Sequence, residues 1–102
     1  MYSKILYIAL LIVAIVLAYQ CSTSLHVPTM VDAQKNGTSL DTLVKGREIY
    51  IRSCGSCHSL YLPEKYTAVQ WNKEMSRMQK PAKINNEQKE LILKYLTSKS
   101  RD

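Results

Sequence analysis

Residues 52–60 read RSCGSCHSL, and this stretch decides how the rest of the 102-residue chain is interpreted. Cys54 and Cys57 are separated by two residues, and His58 directly follows the second cysteine. Cysteines at this spacing occur in structural zinc sites, in redox-active dithiols and in covalent haem attachment. The surrounding sequence distinguishes among these three kinds of site.

The other candidate ligands in the chain favour haem over zinc or a disulfide. A structural zinc ion needs about four ligands, and outside the motif only Cys21 and His26 remain, far away in sequence. A thioredoxin-like dithiol lies at a strand-to-helix turn, and no convincing strand is predicted here. C-x-x-C-H is a c-type haem attachment motif, so we expect Cys54 and Cys57 to form thioethers and His58 to be the proximal iron ligand. Zinc and disulfide chemistry remain the alternatives.

An apolar segment opens the chain. Residues 5–18, ILYIALLIVAIVLA, follow the single cation Lys4. A helix over residues 1–19 would be about 28 Å long, close to the roughly 30 Å of a bilayer core, with Lys4 on the cytoplasmic side. The alternatives are a signal peptide with acylation at Cys21 and a freely soluble secreted product, although the residues before Cys21 are bulky for a lipoprotein signal. We expect residues 1–20 to be a transmembrane anchor or signal segment, with the domain that follows outside the cytoplasm.

Residues 21–40 and the first helix of the domain come next. The stretch 21–40 contains Pro28 and KNGTS and has no sustained period, so it is predicted to be a tether. The first helix should begin near Asp41 as N-cap and continue to Ser53. Gly46 in its middle costs about 1 kcal/mol relative to alanine, which indicates a close helix crossing at that position.

Two further helices complete a domain predicted for residues 41–102. The second opens with a capping box between Thr67 and Gln70 and should end near Lys80, before Pro81. It places three residues on one apolar stripe: Trp71, Met75 and Met78. The third follows Asn85 or Asn86 as N-cap, and its inward stripe consists of Leu91, Ile92, Tyr95 and Leu96. The fold class is therefore all-α.

These residues resemble a known family. They are Gly46-x-x-Ile49-Tyr50-x-x-x-Cys54-Gly-Ser-Cys57-His58, then Trp71-x-x-x-Met75-x-x-Met78, then Ile92-x-x-Tyr95-Leu96. The pattern covers about residues 41–98 and is similar to that of the small monohaem class I c-type cytochromes. The resemblance implies a cytochrome c-like fold of about three helices around one covalent haem c, and the apolar segment at residues 5–18 adds an N-terminal hydrophobic helix. It also implies that the first helix of the domain crosses the last.

The resemblance further implies that a methionine is the sixth ligand of the haem iron. Met78 is favoured because it lies in the last turn before Pro81, where the methionine of the family usually follows the tryptophan. Met75 is the second candidate, and His26, Met30 or an open site are the others. Met75 would otherwise pack against the haem ring.

An iron with both axial positions filled has no place for a substrate, so one-electron transfer is the expected function. We expect an electron carrier rather than an enzyme, acting as a membrane-tethered relay or as a subunit of a respiratory or dehydrogenase complex. If the sixth ligand is labile or absent, a haem-based gas sensor or weak peroxidase is the alternative. A third possibility is a mainly structural subunit of a membrane complex.

The charge of the C-terminal half indicates the partners. Residues 65–101 contain nine Lys and Arg residues and three Glu residues, within a chain of formal net charge +6. Such a surface attracts redox donors and acceptors with acidic docking surfaces. Nucleic acid is not expected outside the cytoplasm. The expected location is a bacterial membrane with the haem domain on the periplasmic or outer face, and a domain this small should be largely unfolded without its haem.

Overall fold

A computed structural model describes residues 1–19, 24–55 and 60–102. These ranges contain α-helices and one 3₁₀ turn, Pro63–Lys65, and no strand. The helices are α1 (Tyr2–Tyr19), α2 (Met30–Lys35), α3 (Leu40–Cys54), α4 (Ala68–Met78) and α5 (Asn86–Thr97). The prediction of an all-α fold is confirmed.

The domain is built on the crossing of α3 and α5, which is its most extensive contact between helices. Gly46 lies at the closest point of that crossing. A Cβ atom at this position would overlap the Leu91 carbonyl oxygen and would lie 2.8 Å from the Leu91 carbonyl carbon and 3.0 Å from the Tyr95 Cβ. Only glycine allows this approach, so the prediction of a close helix crossing at Gly46 is confirmed.

The predicted N-cap at Asp41 is wrong, because helix α3 begins at Leu40, two residues earlier than a cap at Asp41 would place its first residue. Its N-cap is Ser39, whose hydroxyl accepts a hydrogen bond from the Thr42 backbone amide at 3.1 Å. Asp41 lies in the first turn, where its negative charge favours the positive end of the helix dipole. Its ion pair with Lys45 is exposed at 3.2 Å and contributes little to stability.

Helices α4 and α5 begin as the sequence predicts. Thr67 and Gln70 form the capping box of α4, because the Thr67 hydroxyl accepts from the Gln70 amide and the Gln70 side chain accepts from the Thr67 amide. Asn85 is the N-cap of α5, and Gln88 completes a second capping box that the sequence analysis did not identify. These reciprocal bonds satisfy amides that a helix start otherwise leaves without partners.

The core lies between α5 and the two helices that pack on it, α3 and α4. Ile92, Tyr95 and Leu96 of the predicted inward stripe are fully buried. Leu91 is only half-buried, whereas Leu93, outside the predicted stripe, is 7% exposed. The predicted inward face of α5 is therefore correct except at its edge.

The stretch predicted to be a tether contains ordered structure. Helix α2 has a capping box formed by Thr29 and Asp32, and both Asp32 and Ala33 are buried. A helix of six residues is too short to show a period in the sequence, so pattern reading could not find it.

Helix α1 carries the apolar segment at the start of the chain. Every large hydrophobic side chain from Tyr2 to Leu17 is more than half exposed. In the part of the chain that the structure describes, no helix meets the combined length and hydropathy needed to cross a membrane. The hydrophobic helix predicted at the N-terminus is thus present, but a transmembrane span is not supported.

Candidate cofactor site

Cys54 is the last residue of α3 and lies at the wall of a cavity of about 260 Å³. The wall is mainly apolar and aromatic, and it is contributed by the end of α3, the segment before α4, α4 itself and the residues that follow α4. Its residues are Tyr50, Ser53, Cys54, Tyr61, Tyr66, Trp71, Glu74, Met75, Arg77, Met78, Pro81 and Ala82. Such a lining is typical of a site for a large apolar ligand with few polar contacts.

Trp71 is part of the cavity wall and is 3% exposed. Its indole Nε1–H donates a hydrogen bond of 2.7 Å to the Pro63 carbonyl, which satisfies the one polar group of a buried tryptophan. This bond joins α4 to the 3₁₀ turn that follows the C-x-x-C-H motif. The turn is therefore fixed against the cavity wall by a residue of the cavity itself.

Tyr50 fixes the same segment from α3. Its hydroxyl donates a hydrogen bond of 2.7 Å to the Tyr61 carbonyl, two residues before the Pro63 acceptor. Burial is the main reason why the pKa of Tyr50 is raised above its usual value, and the nearby Cys54 thiol raises the pKa further. Tyr50 thus remains a neutral donor at physiological pH, and two side chains hold the chain where it leaves the motif.

Aromatic rings continue from the mouth of the cavity into the core. Tyr61 and Tyr66 meet edge to face with centroids 6.1 Å apart, and Tyr66 meets Trp71 in the same way at 4.9 Å. Tyr50 contacts both Trp71, at 6.3 Å, and Tyr95, at 6.2 Å. The separations lie in the range in which ring pairs stabilise one another, so the wall is a rigid surface.

Two methionines of the predicted stripe face this cavity. Met75 is 3% exposed and Met78 is half-buried, and both line the cavity wall with Trp71. His26 and Met30, the other candidates for a sixth ligand, do not line it: His26 pairs with Asp32, and Met30 is 58% exposed. The geometry therefore brings two thioether sulfurs to the cavity and leaves the other two candidates elsewhere.

An ion pair also borders the cavity, and the sequence analysis missed it. The Arg77 guanidinium donates a hydrogen bond of 2.6 Å to the Glu74 carboxylate one turn earlier on α4. Their i, i+3 spacing was the available signal, since residues three apart are neighbours on a helix. Both residues line the cavity.

Of the three motif residues predicted to bind haem, Cys54 is the one that the structure places. Cys57 and His58 lie outside the described residues. The position of Cys54 beside an apolar cavity with two methionine sulfurs fits a c-type haem, because the attachment needs a thiol at the edge of a water-poor pocket and a soft axial ligand.

The sequence of this region matches a known protein family. The sequence profile described as Dihaem cytochrome c matches residues 50–102, just over half of the chain. The chain belongs to the dihaem cytochrome c family. The matched region begins at Tyr50 and contains the C-x-x-C-H motif, α4 and α5. Among curated proteins and among solved structures, none matches the chain.

Membership of the dihaem cytochrome c family confirms that the chain is a c-type cytochrome and does not support the monohaem class I assignment. The expectation of a single haem c is wrong, because the family is one of two-haem cytochromes. The error arose from counting motifs, since the sequence contains one C-x-x-C-H, at residues 54–58.

A second cavity among the described residues differs from the first in its lining. The next cavity, of about 160 Å³, is polar and is lined by Asn36, Gly37, Thr38, Lys94 and Thr97. It contains no cysteine, histidine or methionine, so it provides neither a thiol for attachment nor an axial ligand. That second cavity therefore does not fit a haem.

Proposed function

We propose that this dihaem cytochrome c family member is a membrane-associated electron relay, and that the motif at residues 54–58 attaches one of its two haem groups. Family membership indicates haem-based electron transfer in general. The single observation that carries the finer proposal is the position of Cys54 at an apolar cavity whose wall also holds Met75 and Met78.

Bound haem c supplies a reversible one-electron iron couple, and the chain supplies the surroundings of that couple. Trp71, Met75 and Tyr50 are buried and exclude water from the inner wall, which favours methionine ligation. With haem bound, a thioether from Met78 or Met75 on the iron would close the position that a substrate needs. The arrangement therefore supports an electron carrier rather than an enzyme.

The surface near the cavity supports docking of acidic redox proteins. Lys65 lies over the Tyr61 ring, 3.4 Å from its centroid, beside the mouth of the cavity. Lys73 and Lys80 do not line the cavity but are exposed elsewhere in the same stretch of chain, and residues 65–101 contain nine Lys and Arg residues against three Glu residues. A positive field close to the haem site accelerates encounter with an acidic partner and weakens as salt increases.

The exposed face of α1 supports association with a membrane. Large hydrophobic side chains from Tyr2 to Leu17 are more than half exposed, and a continuous apolar surface of that kind is unfavourable in water. We propose that α1 buries these side chains in lipid and that the haem domain lies on the periplasmic or outer face of a bacterial membrane.

An optical spectrum of the haem-loaded chain tests the relay. We expect a low-spin c-type spectrum with the weak far-red band of sulfur bound to ferric iron. Met78→Ala should remove the contribution of the haem at Cys54 to that band, whereas Met75→Ala, its matched control on the same stripe, should leave that contribution unchanged. A high-spin spectrum, or binding of carbon monoxide at neutral pH without denaturant, would instead indicate an open iron and ligand chemistry.

Flotation with phospholipid vesicles tests the membrane association. The full chain should float with the vesicles, and Leu11→Lys together with Val13→Lys should reduce the floated fraction. Val69→Lys is the control, because Val69 is 78% exposed but lies on α4. Equal flotation of all three proteins would contradict a lipid-binding role of α1.

A further inference from the structure

The segment 24–36, here called the N-terminal segment, is fastened to the α3–α5 crossing by its backbone. The His26 carbonyl accepts a hydrogen bond of 3.0 Å from Arg47 Nε on α3 and one of 2.7 Å from the Tyr95 hydroxyl on α5. Arg47 also reaches the Leu25 carbonyl at 3.4 Å. Side chains of α3 and α5, which are far apart in sequence, thus both donate to the His26 carbonyl. No local sequence pattern predicts that the segment is held at this crossing.

A buried carboxylate strengthens this attachment. Asp32 is 5% exposed, and its Oδ2 lies 2.8 Å from His26 Nε2 and accepts from the backbone amide of Thr29 at 2.8 Å. Its Oδ1 pairs with Lys99 Nζ, beyond the end of α5, at 3.1 Å. A buried charge is costly unless it is paired and hydrogen-bonded, and here both carboxylate oxygens have partners. Such an arrangement belongs to a packed element and not to a freely moving linker.

Apolar burial adds to these polar contacts. Ala33 is 2% exposed, and Pro28 is buried. Asn36 closes the segment, with its side-chain amide 2.8 Å from the Asp32 carbonyl and 3.5 Å from the Ser98 carbonyl. The segment is therefore attached along its length, from Leu25 to Asn36.

This attachment shortens the connection between the apolar helix and the haem domain. If residues 21–40 were a free tether, the chain from Tyr19 to Leu40 could extend to roughly 70 Å. With residues 24–36 attached, only the link from Tyr19 to Ser24 separates α1 from the domain, and five residue steps extend to at most about 17 Å.

We infer that the N-terminal segment is a permanently docked part of the haem domain, which holds the cavity close to the surface that α1 binds and restricts electron exchange to partners at the same membrane. The inference rests on the proposed membrane association. It specifies the class of partner, namely membrane-bound redox proteins or lipid-soluble redox molecules, in place of freely diffusing ones. Because the cavity stays near the membrane, it meets these partners without long-range diffusion.

Backbone hydrogen exchange of the haem-loaded full chain tests the docking. Amides of residues 29–36 should be protected in the wild-type protein and should exchange at least about tenfold faster in Asp32→Ala, because opening then breaks fewer contacts. Asp32→Asn, which keeps the shape of the side chain, should show an intermediate increase. Asp41→Asn is the matched control, since Asp41 is exposed and pairs only along α3 with Lys45. Wild-type exchange at the rate of an unstructured chain would overturn the inference.

Fluorescence of vesicles with dansyl-labelled phosphatidylethanolamine tests whether docking of the N-terminal segment holds the haem near the membrane surface. Haem absorbs dansyl emission and quenches it steeply with distance, so the wild-type chain should quench the headgroups more strongly than Asp32→Ala at equal bound amounts. Equal quenching by the two proteins would overturn the restriction to membrane partners. If the amides are protected but the chain does not bind vesicles, the docking of the N-terminal segment is supported. The membrane association and the restriction to membrane partners are then both contradicted. A chain that attaches no haem would contradict the relay itself.

Discussion

Replacing Gly46 by alanine should destabilise the domain by a predictable amount. Alanine in the middle of a helix favours folding by about 1 kcal/mol relative to glycine. At this crossing, however, the added methyl group would overlap the Leu91 carbonyl and press on the Tyr95 Cβ, and none of these is a flexible side-chain end that could move aside. Overpacking typically costs about 1–3 kcal/mol, and a backbone obstacle should place the cost near the upper end. The net loss should be about 2 kcal/mol.

The assay is urea or thermal unfolding of the haem-loaded chain followed by circular dichroism. A loss of about 2 kcal/mol corresponds to a fall in melting temperature of roughly 8–16 °C for a domain of this size. Glu48→Ala is the control, because Glu48 lies on the same helix, is exposed and is also replaced by alanine. A Gly46→Ala protein as stable as the control would show that the crossing is looser than the structure indicates and would refute the reasoning.

Three further predictions concern the cofactor, the cavity wall and the buried carboxylate. A Cys54→Ala, Cys57→Ala variant should lose most of the helical signal of the domain, because a fold of about 60 residues needs its covalent cofactor, and native circular dichroism would contradict this. Tyr50→Phe should lower the free energy of unfolding by about 1 kcal/mol in urea titration, since the Tyr61 carbonyl loses its donor, and an unchanged midpoint would argue against that bond. Burial alone would raise the pKa of Asp32, but its bonds to His26, Thr29 and Lys99 outweigh this and depress it below the unfolded value of about 3.9. The stabilisation is therefore complete above about pH 4 and is lost as the pH falls, so the difference in urea midpoint between wild type and Asp32→Asn should shrink below pH 4.

The parts of the fold that depend on local chemistry could be predicted from the sequence. The capping box at Thr67 and Gln70, the cap at Asn85 and the crossing at Gly46 each follow from one residue type at one position. The packing of residues 24–36 could not be predicted, because it depends on contacts such as that of Asp32 with Lys99, 67 residues away in sequence. A short helix and a single buried charge leave no periodic signal.

The candidate site was predictable to a similar extent. The stripe of Trp71, Met75 and Met78 follows from helical spacing, and all three line one cavity in the structure. The hydrogen bonds from Trp71 and Tyr50 to backbone carbonyls were not predictable, since any residue provides a carbonyl. The number of haem groups was predicted wrongly, because one motif indicates one attachment and carries no information on the second haem of the family.

The indole in the cavity wall has a practical consequence. Trp71 is the only tryptophan of the chain, and it lies almost completely buried where the haem is expected. Haem absorbs at the wavelengths of indole emission, so haem in the cavity should quench the fluorescence of Trp71. Loss of the cofactor should restore Trp71 fluorescence, and so should unfolding that separates α4 from the haem. The intrinsic fluorescence of Trp71 therefore reports how much of a preparation carries haem, and its measurement requires neither a dye nor a mutation.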